Sequence, residues 1–260
     1  MKIAISGKGG AGKTLLAGLL SRSFAEDGYR VIAIDADPDA NLAVSLGFPA
    51  DFQPTPLSNM KQLIEERTST GTDESGSYFK LNPHVSDIPD TYSAEHDGIR
   101  LLVMGQVKRG GSGCYCPENS LLAALVAHLI LARDEVIIMD MAAGIEHLNR
   151  GTARKVDYLV IVAEPSRASI ETARRIKTLA GEIGLDRIMV VGNKIRSQSE
   201  KDFLVSSLPD FKFLGFIPYD QAIVNAEVTN SNLYQASPSI NLAIKDVYRK
   251  ITSPTDPKNI

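Results

Sequence analysis

Gly7-Lys8-Gly9-Gly10-Ala11-Gly12-Lys13-Thr14 fills every fixed position of the phosphate-binding pattern G-x-x-x-x-G-K-[ST]. Before it, Lys2-Ile3-Ala4-Ile5-Ser6 is a short apolar run of strand type, and after it Leu15-Leu16-Ala17-Gly18-Leu19-Leu20 continues as a helix. Glycines between strand and helix let the backbone curl so that its N–H groups face a pyrophosphate, and the helix N-terminus adds its dipole and unpaired donors. In such a loop Lys13 reaches the β- and γ-phosphate oxygens and Thr14 offers its hydroxyl to Mg²⁺. Gly9, Gly10, Ala11, Gly12, Lys13, Thr14 and Leu15 are therefore the expected nucleotide-binding segment. The plainer alternative is a Gly-rich turn that happens to carry Lys-Thr.

At 260 residues and 43% hydrophobic, the chain can bury the core of one large α/β domain, and a single domain spanning 1–260 is expected. The net charge of -3 supplies no basic field, which disfavours broad nucleic-acid binding. A strand begins at residue 2 with no charged and apolar leader before it, and no apolar run approaches the roughly 18 residues of a membrane span. A cytoplasmic protein without a membrane partner is expected.

Apolar, β-branched runs alternate with helical patterns throughout, the signature of a mainly parallel, doubly wound sheet with helices on both faces. Arg30 to Asp35 reads as the second strand and ends in Asp35-Ala36-Asp37-Pro38-Asp39-Ala40-Asn41. Three carboxylates thus stand at the carboxyl end of a strand, where open α/β sheets bind ligands. Asp37 or Asp39 can cap a helix starting near Pro38. A carboxylate facing a γ-phosphate can also orient an attacking water while another, here Asp35, holds a Mg²⁺-bound water. Residues 49–98 are the least regular part, with Pro49, Pro54 and Pro56, a helix-like run from Ser58 to about Thr68, and a candidate hairpin at Tyr78-Phe79-Lys80-Leu81.

Strand character resumes over Ile99 to Gly105. Val136 to Asp140, Val156 to Ala163, Ile188 to Asn193 and Phe213 to Ile217 read as further strands, residues 166–183 as an amphipathic helix, and Pro238 to Ile251 as the closing helix. Asp140 ends its strand where nucleotide-binding sheets place a ligand of Mg²⁺-bound water. An ordinary core strand and turn would begin the same way, but only the ligand reading explains its pairing with a P-loop.

The two cysteines of the chain, Cys114 and Cys116, follow Lys108-Arg109-Gly110-Gly111-Ser112-Gly113 and precede a helix that Pro117 opens. They are poor candidates for a structural disulfide in a reducing compartment. The helix dipole and the cations Lys108 and Arg109 favour thiolate, the metal-ligating form. Two ligands are too few for the four-coordinate sites that thiolates build. The missing pair can come from a symmetry mate, because a two-fold axis duplicates any site placed on it. A redox or chance pair of buried thiols is the alternative.

Asn193-Lys194-Ile195-Arg196 stands where guanine-binding P-loop proteins carry Asn-Lys-x-Asp, whose aspartate accepts from the base. Arg196 cannot accept, and each buried donor left unpaired costs about 1 to 3 kcal/mol. ATP is favoured over GTP.

Lys-Gly-Gly-x-Gly-Lys-Thr resembles the deviant P-loop of the dimeric ATPases that include the nitrogenase iron protein, the septum-site and plasmid-partition ATPases and several metal-insertion ATPases. Gly110-Gly-Ser-x-Cys114-Tyr-Cys116-Pro117-Glu118-Asn119-Ser120, Asp140-Met-x-Ala-Gly-Ile-Glu146-His147 and Asn193-Lys194 narrow this to the maturation ATPases that insert nickel into carbon monoxide dehydrogenase or acetyl-CoA synthase. The resemblance implies that Lys8 crosses to the partner's nucleotide as a finger residue, and that Asp37, within a switch I-like Asp-Pro, orients the water. It implies main-chain contact with adenine near Pro218, beside Asn193 and Lys194, and a switch II after Asp140 whose Gly144 N–H senses the γ-phosphate. It implies a homodimer with one Ni²⁺ or Zn²⁺ held by Cys114 and Cys116 of both chains, and a nickel enzyme as client. Three alternatives stay open: an electron donor with a [4Fe–4S] cluster on the same thiolates, a metal-free partition or positioning ATPase, and a metal store without ATP turnover.

Overall fold

The structure, a computed structural model, describes residues 1–37, 41–49, 51–70, 79–105, 117–142, 144–145, 148, 150–229 and 231–253. Its strands are β1 (Lys2–Gly7), β2 (Val31–Ala36), β3 (Ala94–His96), β4 (Ile99–Val103), β5 (Val136–Met141), β6 (Tyr158–Ala163), β7 (Ile188–Ile195) and β8 (Lys212–Pro218). They form one sheet in the order β3-β4-β2-β5-β1-β6-β7-β8. Every neighbouring pair is parallel except β3 with β4. The parallel sheet expected from the sequence is therefore present, with one short antiparallel strand at its edge.

The central strands β1, β2, β5 and β6 are buried at every position, as parallel strands covered on both faces must be. Alternation divides their side chains between two cores. Ile3 and Ile5 of β1 pack with α1 (Lys13–Glu26), while Ala4 faces the opposite layer. The remaining helices are α2 (Leu42–Ser45), α3 (Lys61–Thr68), α4 (Ile88–Thr91), α5 (Pro117–Ala132), α6 (Arg150–Ala153), α7 (Arg167–Glu182), α8 (Gln198–Ser207), α9 (Gln221–Thr229), α10 (Leu233–Ala236) and α11 (Pro238–Thr252). Ser166, Ser197 and Ser237 cap α7, α8 and α11 by accepting from the N–H three residues on.

Several local expectations are corrected. The helix-like run from Ser58 divides into a 3₁₀ turn at Leu57–Asn59 and α3, because Met60, at ψ 72°, leaves helical space. Tyr78 of the candidate hairpin lies outside the described residues, and Phe79 makes a single bridge to Ser69. The segment is nonetheless anchored: Leu57, Leu63, Ile64, Val85 and Ile88 join the core beneath α5. No helix of the described residues is long and apolar enough to cross a membrane.

At the end of the sheet opposite the phosphate loop, Arg133 grips Asp90 at 2.9 and 3.0 Å and Glu135 at 2.6 and 3.1 Å, and Arg100 reaches Glu135 at 2.8 Å. Hydrogen bonds from Arg133 and Arg100 hold the Asp90 carboxyl down at about 2. Burial of Glu135 pushes the other way, yet the Arg133 bonds prevail and its pKa also falls to about 2. Both carboxylates titrate lower in the fold than unfolded, so their stabilisation is present above about pH 4 and is lost as pH falls toward 2. Arg133→Leu is expected to cost about 2 kcal/mol at pH 7, and the difference from wild type should shrink below pH 3 in urea melts. A deficit independent of pH would contradict this.

Candidate nucleotide site

The phosphate loop sits between β1 and α1, at the carboxyl ends of the central strands. Its first glycine is forced by close approach: a Cβ on Gly7, at φ 151°, would lie 2.4 Å from the Val162 carbonyl oxygen of β6. Gly12 adopts φ 96°, and a Cβ there would lie 2.1 Å from the Asn193 side-chain nitrogen. Asn193, buried at the end of β7, donates Nδ2–H to the Ala11 carbonyl at 2.7 Å. Lys194 donates to the Gly10 carbonyl at 2.6 Å. Two loop carbonyls are thus held from behind, and the first-turn N–H groups of Lys13, Thr14 and Leu15 have no partner inside the helix.

Charge gathers around this loop. Lys13, almost fully buried, lies 3.7 Å from Asp37. Thr14 Oγ1 donates to Asp140 Oδ2 at 2.6 Å. Asp35 and Asp140 stand opposite each other on adjacent strands, and both are completely buried. Asp35 accepts from the Leu42 N–H in the first turn of α2 at 2.8 Å and from the Asp37 N–H at 3.2 Å; Pro38 and Asp39, where a helix start capped by Asp37 or Asp39 was expected, lie outside the described residues. Burial raises the Asp35 pKa to about 6. Burial, with the neighbouring charges of Asp35 and Asp37, raises Asp140 to about 7 against the Thr14 bond. Asp140 Oδ1 is buried and finds no hydrogen-bond partner among the described residues. An orphaned carboxylate oxygen beside a threonine hydroxyl and a second buried carboxylate is the donor set that a hard divalent cation takes.

A cleft of about 970 Å³ opens from this loop. Gly9, Gly10, Gly12, Lys13, Thr14, Leu15 and Asp37 line it, together with Asn193, Lys194, Arg196, Pro218 and Tyr219. The guanidinium of Arg196 lies over the Tyr219 ring at 4.3 Å, a stacked pair in the cleft wall. Ala11 is withdrawn from the cleft and fully buried, and Asp35 and Asp140 stand behind its wall. Lys8 donates at 3.1 Å to Glu164, which lines the cleft, while Lys194 lies 3.8 Å from the same carboxylate. Cys114, Cys116, Lys108, Arg109, Glu146 and His147 lie outside the described residues. Among the described residues no cluster of three or more metal-binding side chains occurs.

A model of the CobQ/CobB/MinD/ParA nucleotide binding domain matches residues 2–233, nearly nine-tenths of the chain. The chain belongs to that family. It is 45% identical to the carbon monoxide dehydrogenase accessory protein CooC of Rhodospirillum rubrum over 92% of this chain and 91% of that one. It is 44% identical to an uncharacterised ATP-binding protein of Methanocaldococcus jannaschii over 87% and 88% of the two chains. A chain of the MinC:MinD cell division protein complex of Aquifex aeolicus superposes with a TM-score of 0.69 at 20% identity, covering 98% of this chain and 96% of that one, and shares the fold. As a member of this family the protein is a P-loop ATPase that uses ATP and Mg²⁺, and the deviant P-loop class read from Lys8 to Thr14 is the correct one.

One site residue was not marked in the sequence. Glu164, the clasp of Lys8, directly follows β6 at the carboxyl edge of the sheet, the same edge that drew attention to Asp140. Pro218-Tyr219 is the stretch expected to contact adenine through its main chain, and the stacking of Arg196 on the Tyr219 ring adds a side-chain role to it. Gly12→Ala is expected to lower affinity for ATP and ADP alike by at least tenfold while Asn193 is pushed from the Ala11 carbonyl, at a cost of roughly 1 to 3 kcal/mol. Calorimetric titration of both nucleotides checks this, and unchanged binding would show that the close approach is not required.

Proposed function

We propose that this chain is an accessory ATPase of carbon monoxide dehydrogenase maturation, or of the related acetyl-CoA synthase, and that it carries nickel or zinc as cargo. The observation that supports this reading most is the 45% identity to CooC along nine-tenths of both chains, joined to a phosphate loop with the additional lysine at position 8. In this reading residues 1–260 act as one domain in the cytoplasm, without nucleic acid or membrane.

Two copies face each other across their nucleotides. Lys8 leaves Glu164 and reaches the partner's nucleotide, where its charge offsets that spreading over the γ-phosphoryl oxygens. Lys13 holds the β- and γ-phosphates, and the loop N–H groups receive the remaining oxygens. Thr14, Asp35 and Asp140 would hold Mg²⁺, which when bound would neutralise phosphate charge. With Lys13 engaged by the phosphates, Asp37 orients the attacking water. Asn193, Lys194 and Pro218 border the base, with adenine favoured because Arg196 has no acceptor for guanine.

Cys114 and Cys116 of each copy supply half of a four-thiolate cage for Ni²⁺ or Zn²⁺, and nucleotide decides whether the halves meet. Hydrolysis then loosens the cage beside the client enzyme. Native mass and metal content of the purified protein, loaded with Ni²⁺ or Zn²⁺ with and without ATP, test this. One ion per two chains is expected in the wild type and none after Cys114→Ala with Cys116→Ala. A brown, iron-containing dimer would favour the electron-donor reading, and equal metal in the double variant would overturn the shared cage.

A further inference from the structure

Ser6 follows the apolar run Ile3-Ala4-Ile5 in β1, and no part of the reading above uses it. Its side chain is completely buried. Strand alternation turns it away from α1, to the face over which the chain leaving β5 passes. There Ser6 Oγ lies 2.7 Å from the Gly144 carbonyl oxygen and 3.2 Å from that of Ala142. The Gly144 N–H in turn points to Ser6 Oγ at 3.3 Å and to the Ala142 carbonyl at 2.7 Å.

A hydroxyl has one proton and two lone pairs. Ser6 therefore donates to one carbonyl at a time, with Gly144 the nearer, and accepts from Gly144 N–H. One side chain clasps both polar groups of residue 144. A buried N–H or C=O that loses its partner is costly, so Gly144 cannot turn toward the nucleotide unless its released groups and the Ser6 proton find replacements. The second acceptor supplies one: rotation about the Ser6 Cβ–Oγ bond moves the proton to the Ala142 carbonyl and leaves no donor orphaned.

We infer that Ser6 is a positioning residue that clasps the Gly144 peptide away from the nucleotide in the resting protein and releases it when a γ-phosphate competes for its N–H. This rests on the reading of Gly144 as the γ-phosphate sensor. Ser6 lies directly before Gly7, whose backbone is wedged against Val162, so the clasp is fixed to the rigid end of the phosphate loop. The device discriminates ATP from ADP, because only ATP offers the competing oxygen.

Ser6→Ala removes the clasp without touching the loop donors. It is expected to leave ADP affinity within twofold of wild type and to tighten ATP binding at least threefold, measured with Mg²⁺ and the non-hydrolysable analogue AMPPNP. Ser6→Thr, which keeps the hydroxyl, should restore the wild-type ratio. Independently, amide exchange at Gly144 in the nucleotide-free protein should quicken at least tenfold in Ser6→Ala. An unchanged ratio of ADP to AMPPNP affinity with unchanged exchange would overturn the proposal. Equal weakening of both nucleotides would also overturn it, since Ser6 would then merely support the phosphate loop. ADP binding at wild-type strength shows that the nucleotide-site reading stands whichever way the ratio falls.

Discussion

A phosphate loop works only if its carbonyls are kept out of the way. Here that is achieved from behind, by the end of β7. Asn193 takes the Ala11 carbonyl and Lys194 takes that of Gly10, each residue lying more than 180 positions away in sequence. With those oxygens engaged they do not compete for a phosphate, and the first turn of α1 beside them keeps N–H groups without a partner inside the helix. The tightness of this bracing explains the glycines: Gly7 has the β6 backbone against it and Gly12 has Asn193 against it.

The electrostatics of the site depend on the same geometry. Neighbouring parallel strands bring Asp35 and Asp140 to the same level, and α1 delivers Lys13 and Thr14 in front of them. Three carboxylates then share one buried lysine and one hydroxyl. Burial raises Asp35 and Asp140 into the range of about 6 to 7, because the low-dielectric interior disfavours their charged forms. Lys8 and Lys194 meanwhile share the single carboxylate of Glu164 beside the loop, which partly offsets their charge.

Much of this was legible in the chain because it is local. A loop of fixed spacing, the strand before it and the helix after it occupy residues 2–20, and no tertiary contact is needed to recognise them. The buried strands announced themselves as continuous β-branched runs, and Asp35 and Asp140 stood out as acids at strand ends. What could not be read are pairings across long separations. Nothing in the sequence near Lys8 points to Glu164, nothing near Ser6 points to Gly144, and Arg196 reveals its stacking only when β8 places Tyr219 beneath it. The 49–98 segment looked irregular because its apolar residues follow no single period; they are spaced to meet α5 from a succession of short turns, among them Leu57, Ile64 and Ile88. The short edge strand Ala94–His96 was missed for a related reason, since three half-exposed residues carry too little pattern to register.

The bracing of the loop from β7 is the claim on which the nucleotide site stands, and Asn193→Ala tests it directly. Calorimetric titration of Mg–ADP and Mg–ATP should show both affinities falling by about tenfold, the loss expected when a buried carbonyl loses its partner, with the melting temperature lowered by only a few degrees. Wild-type affinity for both nucleotides in a folded Asn193→Ala protein would contradict the account.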